Sequence, residues 1–349
     1  MVNNTPIKLR IKKIIAETAD TKSFVLDSIE GQQVNYQPGQ FLTLVFQKSN
    51  GNEDRRNYSI SAVPGAVAPL QITVKRIPNG EYSRKLVDHA KEGDELVSIG
   101  ASGFFILPSQ PAIFYQYIFF AAGSGITPVY SLILTILQQY RDIKVLLVYS
   151  NRSKSNTIFY QQLKSLQKTY PETLRIEFLY SNQTDIHHKR LGIYLLEKIL
   201  QQYVTGPVRE QLFYLCGPFE YMRMITIVLR NHGVPLAHIR KEIFVIEKTE
   251  PKNLPPDRDI HGVTASIGNK MYSFETQFPE TILQTAKKMG IPLPYSCEAG
   301  QCGTCAATCI SGKVWMWQNN VLLDEEITNG RVLTCTGFVI GGDCVLVYS

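Results

Sequence analysis

The sequence predicts a multidomain protein in three parts: a β-barrel, then an open α/β parallel sheet, then a small α+β unit. Three observations predict it. Residues 1–108 alternate short β-branched segments with turn residues. From residue 116 the pattern changes to strand–helix alternation. A proline- and charge-rich stretch, EKTEPKNLPPDRD at 247–259, then separates this body from a tail that holds six of the seven cysteines. A chain of 349 residues is too long for one ordinary core. The expected division is 1–110, 111–246, a linker at 247–259, and 260–349.

In the first part, segments 7–15, 22–26, 41–46, 70–75 and 95–99 read as strands bounded by Gly, Pro, Asn and Asp. Such spacing suggests a closed barrel, interrupted by one helix at 83–90 with Ser83 as its N-cap. In the second part, strands are expected at 117–121, 144–149, 175–180, 211–216 and 242–246, and helices at 129–140, 159–169, 193–203 and 219–231. In the tail, strands at 261–267 and 271–275 and a helix at 281–289 surround a cysteine loop.

Composition excludes several classes. No run reaches the roughly 18–20 apolar residues that span a bilayer; the greasiest, 113–129, is broken by Gln116, Ser124, Thr127, two glycines and a proline. The basic N-terminus lacks the apolar run of a signal peptide. A cytoplasmic protein with no membrane partner is therefore expected. The charge is asymmetric: residues from Asp257 onward carry −3, and the remaining 256 residues +9. That suits an acidic tail docking on a basic body or partner, or simply differing solvated faces. No basic run with interleaved aromatics points to nucleic acid.

In a reducing compartment, clustered cysteines imply metal or redox chemistry rather than disulfides. PYSCEAGQCGTCAATC places Cys297, Cys302 and Cys305 as C-x4-C-x2-C, with Cys335 thirty positions later. This is the spacing of plant-type [2Fe–2S] ferredoxins. Four thiolates must reach two irons from one tight loop and one distant strand; Gly300 and Gly303 let the loop backbone aim N–H groups at the sulfurs. Structural zinc also takes four cysteines, but its knuckles usually pair two C-x2-C units, and only one is present. Cys309 and Cys344 fall outside the spacing and read as small buried residues.

A one-electron cluster cannot accept a hydride, so a flavin that divides two electrons is expected upstream. Arg56-Asn57-Tyr58-Ser59 closes a barrel strand. VKRIPNGEYSRKL follows, with Val74, Lys75 and Arg76 at a strand end and Gly80 and Ser83 opening a helix whose N–H groups suit a phosphate. FFAAGSGITPVYSLI runs a strand into Gly123-Ser124-Gly125 and a helix start at Thr127-Pro128. Glycines there admit a pyrophosphate, and proline suits a first helical turn. LCGPFEYM ends a later strand with Cys216, Gly217 and Pro218, where an open sheet binds its ligands. After the second strand, VYSNRSKS offers Asn151 and Arg152 and no acid to hold a ribose 2′-hydroxyl, which favours NADPH with NADH as the alternative. Glu242-Ile243-Phe244 precedes the linker. Each has a plainer reading: strand packing for Tyr58, a surface cation for Arg76, a buried cysteine for Cys216, and core for Phe244.

Together these residues resemble the ferredoxin–NADP+ reductase family of oxygenase reductases with a C-terminal plant-type ferredoxin, over nearly the whole chain. The resemblance implies a flavin β-barrel, a nucleotide domain and a β-grasp ferredoxin domain, with FAD rather than FMN. It implies that Arg56 pairs with the flavin phosphate, Tyr58 lines the isoalloxazine and ribityl, and Ser59 hydrogen-bonds near N5, with Asn57 among the cofactor-binding residues. It also implies that Cys216 and Glu242 flank the nicotinamide and Phe244 covers the flavin. Cys297 to Cys305 and GKVWMWQNNVLLDEEITNGRVLTC further resemble the reductases of ring-1,2-phenylacetyl-CoA epoxidases, implying an oxygenase partner in phenylacetate degradation. Reductases of other oxygenases and fatty-acid desaturases are the alternative, and a flavoprotein with a zinc-stabilised binding module is the alternative of another class. Trp315 and Trp317 either mark a docking surface or cap the ferredoxin sheet.

Overall fold

The computed structural model describes residues 6–48, 51–65, 69–183, 189–244 and 253–348. Strands β1 (Ile7–Thr18), β2 (Thr21–Ser28), β3 (Phe41–Gln47), β4 (Glu53–Ser59), β5 (Leu70–Lys75) and β6 (Glu95–Ser102) form an antiparallel sheet in the order β4-β3-β6-β1-β2-β5. The sheet closes on itself. Just beyond β4, Ile60 bridges Ile72 of β5, and the Ser61 N–H donates to the Gln71 carbonyl at 2.9 Å. Leu9, Ile11, Phe24, Leu42, Leu44, Ile72 and Val74 fill the interior.

The expected helix at 83–90 begins earlier. Helix α1 (Glu81–Arg84) has Gly80 at its N-cap and continues as a π-turn through His89. Ser83 is thus inside the helix rather than at its cap. Its hydroxyl accepts from the Ile77 N–H at 3.2 Å and donates to the Gly80 carbonyl at 3.1 Å, and a Cβ on Gly80 would lie 2.5 Å from that oxygen.

The second unit winds β7 (Gln116–Ala122), α2 (Ile126–Gln139), β8 (Lys144–Asn151), α3 (Tyr160–Thr169), β9 (Leu174–Tyr180), α4 (Ile193–Tyr203), β10 (Gln211–Cys216), α5 (Phe219–Asn231) and β11 (Ile239–Glu242). All pairs are parallel, in the order β11-β10-β7-β8-β9. Alternate residues serve opposite faces, as strand geometry requires. Tyr117, Phe119 and Ala121 pack under α2 and α3, and Ile118 and Phe120 under α4 and α5. Burial on both sides explains the continuous apolar runs. The winding reverses between β7 and β10, and their C-terminal ends mark the ligand-binding crevice of such sheets.

Two boundaries differ from expectation. Helix α2 starts three residues before 129, because Pro128 as its third residue forfeits no intrahelical bond. The last strand is Ile239–Glu242 rather than 242–246, since its partner β10 ends at Cys216, which pairs with Glu242. Residues 245–246, and the linker at 247–252, lie outside the described residues.

The tail contains β12 (His261–Ile267), β13 (Lys270–Thr276), α6 (Ile282–Lys288), β14 (Ala306–Ser311), β15 (Val314–Met316), α7 (Asp324–Thr328), β16 (Arg331–Leu333), β17 (Gly337–Val339) and β18 (Cys344–Tyr348). The mixed sheet β13-β12-β18-β14-β16 carries α6 on its apolar face, and β15 pairs with β17. Trp315 packs on Phe338 at 6.1 Å between ring centroids. Cys344 is buried as expected, but Cys309 is only half-buried. Among the described residues no helix is long and apolar enough to cross a membrane.

Candidate functional site

Strand β4 presents its residues alternately to two sides. Arg56 lies 4.9 Å over the Tyr82 ring of α1 and 3.3 Å from Asp54, which also accepts from the Tyr82 hydroxyl at 2.9 Å. The two expected flavin segments are therefore brought together, through a tyrosine that sequence reading quoted but did not single out. Tyr58 is half-buried and Ser59 buried. The Asn57 amide oxygen is occupied by the Thr43 hydroxyl at 2.9 Å and by Ser296 at 2.6 Å. Val74 belongs to the barrel core, so only its backbone is available to a ligand. Lys75 pairs with Asp20 at 3.4 Å, and Arg76 with Asp88 at 2.9 Å.

At the crevice, Gly123 has φ +55° with open space where a Cβ would stand, as backbone lying against a ligand requires. Gly125 has another reason: a Cβ there would lie 2.1 Å from the Cys216 carbonyl oxygen. Close packing of α2 on β10, rather than approach to a pyrophosphate, demands that glycine. The Thr127 hydroxyl donates to the Ser124 carbonyl at 2.9 Å, and the Tyr149 hydroxyl holds the Gly123 carbonyl at 3.0 Å. Pro128 is buried in the first turn of α2.

A cleft of about 1680 Å³ opens from this point and takes walls from all three units. Lys75 and Phe104 come from the barrel, and Gly123, Ser124, Gly125, Asn151, Arg152, Gly217, Pro218 and Phe244 from the parallel sheet. Gln301 and Gln318 come from the tail. Its volume exceeds the few hundred to 1,000 Å³ usual for one small ligand. Lys189 and Arg190, which the sequence reading did not use, join Arg152 in the lining and add positive charge. The buried Asn151 amide nitrogen lies beside the Tyr149 hydroxyl without completing a hydrogen bond, an orphaned donor of the kind a nucleotide oxygen satisfies.

Cys216 and Glu242 sit side by side at the ends of β10 and β11. The thiol is fully buried, and burial followed by the neighbouring Glu242 carboxyl pushes it well up. Glu242 retains some accessible surface, yet burial pushes its carboxyl up to about 8. Phe244, 43% exposed, stands in the cleft rather than in the core.

The four cysteines Cys297, Cys302, Cys305 and Cys335 converge at the edge of the tail. Among the described residues no three His, Cys, Asp or Glu close on a single ion position. The thiols instead lie within reach of one another: Cys297 contacts Cys302 and Cys335, and Cys335 also contacts Cys305. Hydrogen bonds from Cys302 and Cys335 push Cys297 down, and those same contacts push Cys302 and Cys335 up. The Ala299 N–H points at the Cys297 sulfur and the Gly300 N–H at that of Cys335, each at 3.4 Å. Gly300 and Gly303 adopt φ +64° and +74°, which side chains disfavour. Loop, sulfurs and N–H donors thus fit a [2Fe–2S] group.

Comparison with known proteins agrees along the chain. A model described as an oxidoreductase FAD-binding domain matches residues 6–106, an oxidoreductase NAD-binding domain 119–226, and a 2Fe-2S iron-sulfur cluster binding domain 267–339. One component of the 1,2-phenylacetyl-CoA epoxidase of Escherichia coli (strain K12) is 31% identical over 97% of this chain and 96% of its own. The ferredoxin reductase component of the 3-ketosteroid-9-alpha-monooxygenase of Rhodococcus rhodochrous is 30% identical over 94% and 92%. A glycine betaine monooxygenase reductase of Pseudomonas aeruginosa is 29% identical over 97% and 94%. Among solved structures, phthalate dioxygenase reductase shares the fold with a TM-score of 0.60, at 24% identity over 99% of this chain and 98% of that one. These matches answer the zinc alternative: FAD, NAD(P)H and a [2Fe–2S] cluster are the cofactors of the three units. By full-length identity to such relatives, the chain belongs to the ferredoxin–NADP+ reductase family, as an NAD(P)H-dependent electron-transfer reductase that runs from flavin through nucleotide to ferredoxin units.

Proposed function

We propose that the chain takes a hydride from NADPH and passes the electrons, one at a time, through its cluster to the oxygenase component of a cytoplasmic multicomponent oxygenase. One observation carries this reading: the cleft that receives Gly123–Gly125 and Gly217–Pro218 also touches the barrel and the cysteine loop. The proposed domains are 1–110, 111–246 and 260–349, joined by 247–259; the three family matches fall inside them.

When bound, the flavin accepts a hydride and releases single electrons, and the cluster carries one at a time. The chain's own residues bind and orient. Arg56, braced by Tyr82 and Asp54, offers its guanidinium to a phosphate. Lys75 and Arg76 add charge already balanced by Asp20 and Asp88, and Gly80 and Ser83 shape the turn that follows. Tyr58 and Ser59 would line the flavin ring, Ser59 offering its hydroxyl as a hydrogen-bond partner near the position that accepts hydride. Gly123, Ser124, Thr127 and Pro128 hold the nucleotide's pyrophosphate end, and Asn151 and Arg152 its 2′-phosphate, which is why NADPH is preferred to NADH. Cys216, Gly217, Pro218 and Glu242 surround the nicotinamide, and Glu242, neutral at pH 7, adds no charge there. Phe244, exposed in the same cleft, would cover the flavin face when no nicotinamide is there. Cys297, Cys302, Cys305 and Cys335 hold the cluster.

A phenylacetyl-CoA epoxidase is the proposed partner, supported by the 31% identity to a component of that enzyme. The steroid and glycine betaine relatives favour a second reading, a reductase for another oxygenase. The decisive experiment is Cys302→Ser. NADPH should still reduce the flavin, with NADH less effective, while cytochrome c reduction falls at least tenfold. Loss of both steps, or a yellow, zinc-loaded wild-type protein without iron, would sink the reading.

A further inference from the structure

Side chains two apart on a strand share a face. Arg56 and Tyr58 of β4 belong to the expected flavin site, whereas Arg55 and Asn57 turn to the cysteine loop. The Arg55 guanidinium lies 3.7 Å over the Tyr295 ring and donates to the Tyr295 carbonyl at 2.9 Å. Ser296, immediately before Cys297, donates to Asn57 at 2.6 Å. The Ser102 and Thr304 hydroxyls meet at 2.9 Å. The Phe104 ring closes over Gly303, where a Cβ would come within 2.3 Å of it.

These contacts consume the loop's outward positions. Tyr295, Ser296, Gly303 and Thr304 meet the barrel, Gly300 lies against the Gln318 carbonyl, and Gln301 turns into the cleft. Cys297, Cys305 and Cys335 are 3%, 2% and 6% exposed. Only Cys302 keeps some accessible surface, and the side of the loop that faces the barrel is closed to an acceptor protein. The seat nonetheless consists of a few side chains, polar apart from Phe104, the kind of interdomain contact that permits relative motion.

We propose that Arg55, Asn57, Ser102 and Phe104 form a seat that the cysteine loop occupies to receive electrons, and that an acceptor protein reaches the loop only after the C-terminal unit leaves that seat. The proposal rests on the function above in taking the loop to carry the cluster. In the seated state one electron leaves the reduced flavin and one enters the cluster. In the released state the cluster returns that electron to the acceptor, so a hydride's two electrons need two cycles. Arg55 is a positioning residue here.

The test uses full-length holoprotein carrying Arg55→Glu, which sets a carboxylate against the Tyr295 ring and carbonyl. Small-angle X-ray scattering, which needs no turnover, should show a larger radius of gyration than wild type. In anaerobic stopped flow, flavin reduction by NADPH should stay within twofold, while flavin-to-cluster transfer slows at least tenfold. Dithionite-reduced variant should pass electrons to ferricytochrome c at least threefold faster, because its loop is uncovered. Arg55→Lys, which keeps the cation, should restore most of the wild-type behaviour. Ser102→Trp wedges the same seat from another strand and keeps the test decisive if Arg55→Glu does not fold. An unchanged radius of gyration with unchanged transfer overturns the seat. Slower internal transfer without faster delivery to cytochrome c overturns the need for release. A preparation lacking iron–sulfur absorbance but expanding in scattering defeats the functional reading while leaving the seat intact.

Discussion

Glu242 shows how one residue's surroundings decide its chemistry. Its carboxyl is raised from 4.5 to about 8 by burial, so it is protonated in the folded protein at neutral pH. In the unfolded chain it ionises near its ordinary value. The stability this difference represents is complete below pH 4.5 and is lost as pH rises toward 8. Glu242→Gln cannot ionise and escapes that loss. The melting temperature of the variant should therefore gain on wild type from pH 5 to 8, by about a few degrees, and hold a constant lead above pH 8. A gap that does not change with pH would show that Glu242 is not buried in this way. Glu242 beside the Gly-Pro turn was legible only through family resemblance, since nothing in EIF announces that β10 and β11 align it with Cys216. Gly125 was legible as a required glycine, but for a different cause. The Cys216 carbonyl that excludes its Cβ lies ninety-one positions along the chain, a separation no local pattern reports.

Element ends follow local rules where capping is local. Thr281 and Gln284 make a reciprocal capping box, with Thr281 N–H to Gln284 Oε1 at 2.9 Å and Gln284 N–H to Thr281 Oγ1 at 3.3 Å. Thr281→Ala should cost about 1 kcal/mol, read as a lower urea midpoint for the C-terminal unit. Helix α6 was accordingly placed within a residue of its ends. Strand β11 was not, because its length is set by its neighbour β10 and not by its own sequence. Ser83 misled for a related reason: a serine before a helical stretch has the look of a cap, but its hydroxyl folds back to Gly80. That Arg56–Ser59 close a barrel strand was legible. That its two faces serve different units was not, because Tyr295 and Ser296 are some 240 positions away.

Across the whole molecule, three units with separate cores meet around one cleft. The order of the units and the cysteine spacing were legible because each unit has its own periodicity. Their mutual placement was not, since it depends on few contacts between distant segments. Separate cores imply separate unfolding. Removing iron releases four thiolates that tie the loop to the turn bearing Cys335, between β16 and β17, so the C-terminal unit loses the free energy of cluster binding. Calorimetry of chelator-treated protein should show the C-terminal transition lowered by at least ten degrees, with that of the parallel sheet unmoved. A uniform shift of all transitions would contradict independent cores.

The polar seat on β4 has a consequence for how the protein is assembled. Two free proteins held by one stacked cation, one aromatic ring and a few hydroxyl contacts would part almost at once at cellular concentrations. Covalent joining replaces that bimolecular search with an effective concentration that can reach the mM range. A contact too weak to form a lasting complex then suffices, and its weakness keeps residence on the seat short. Fusion of the units in one chain thus sets turnover frequency as much as affinity.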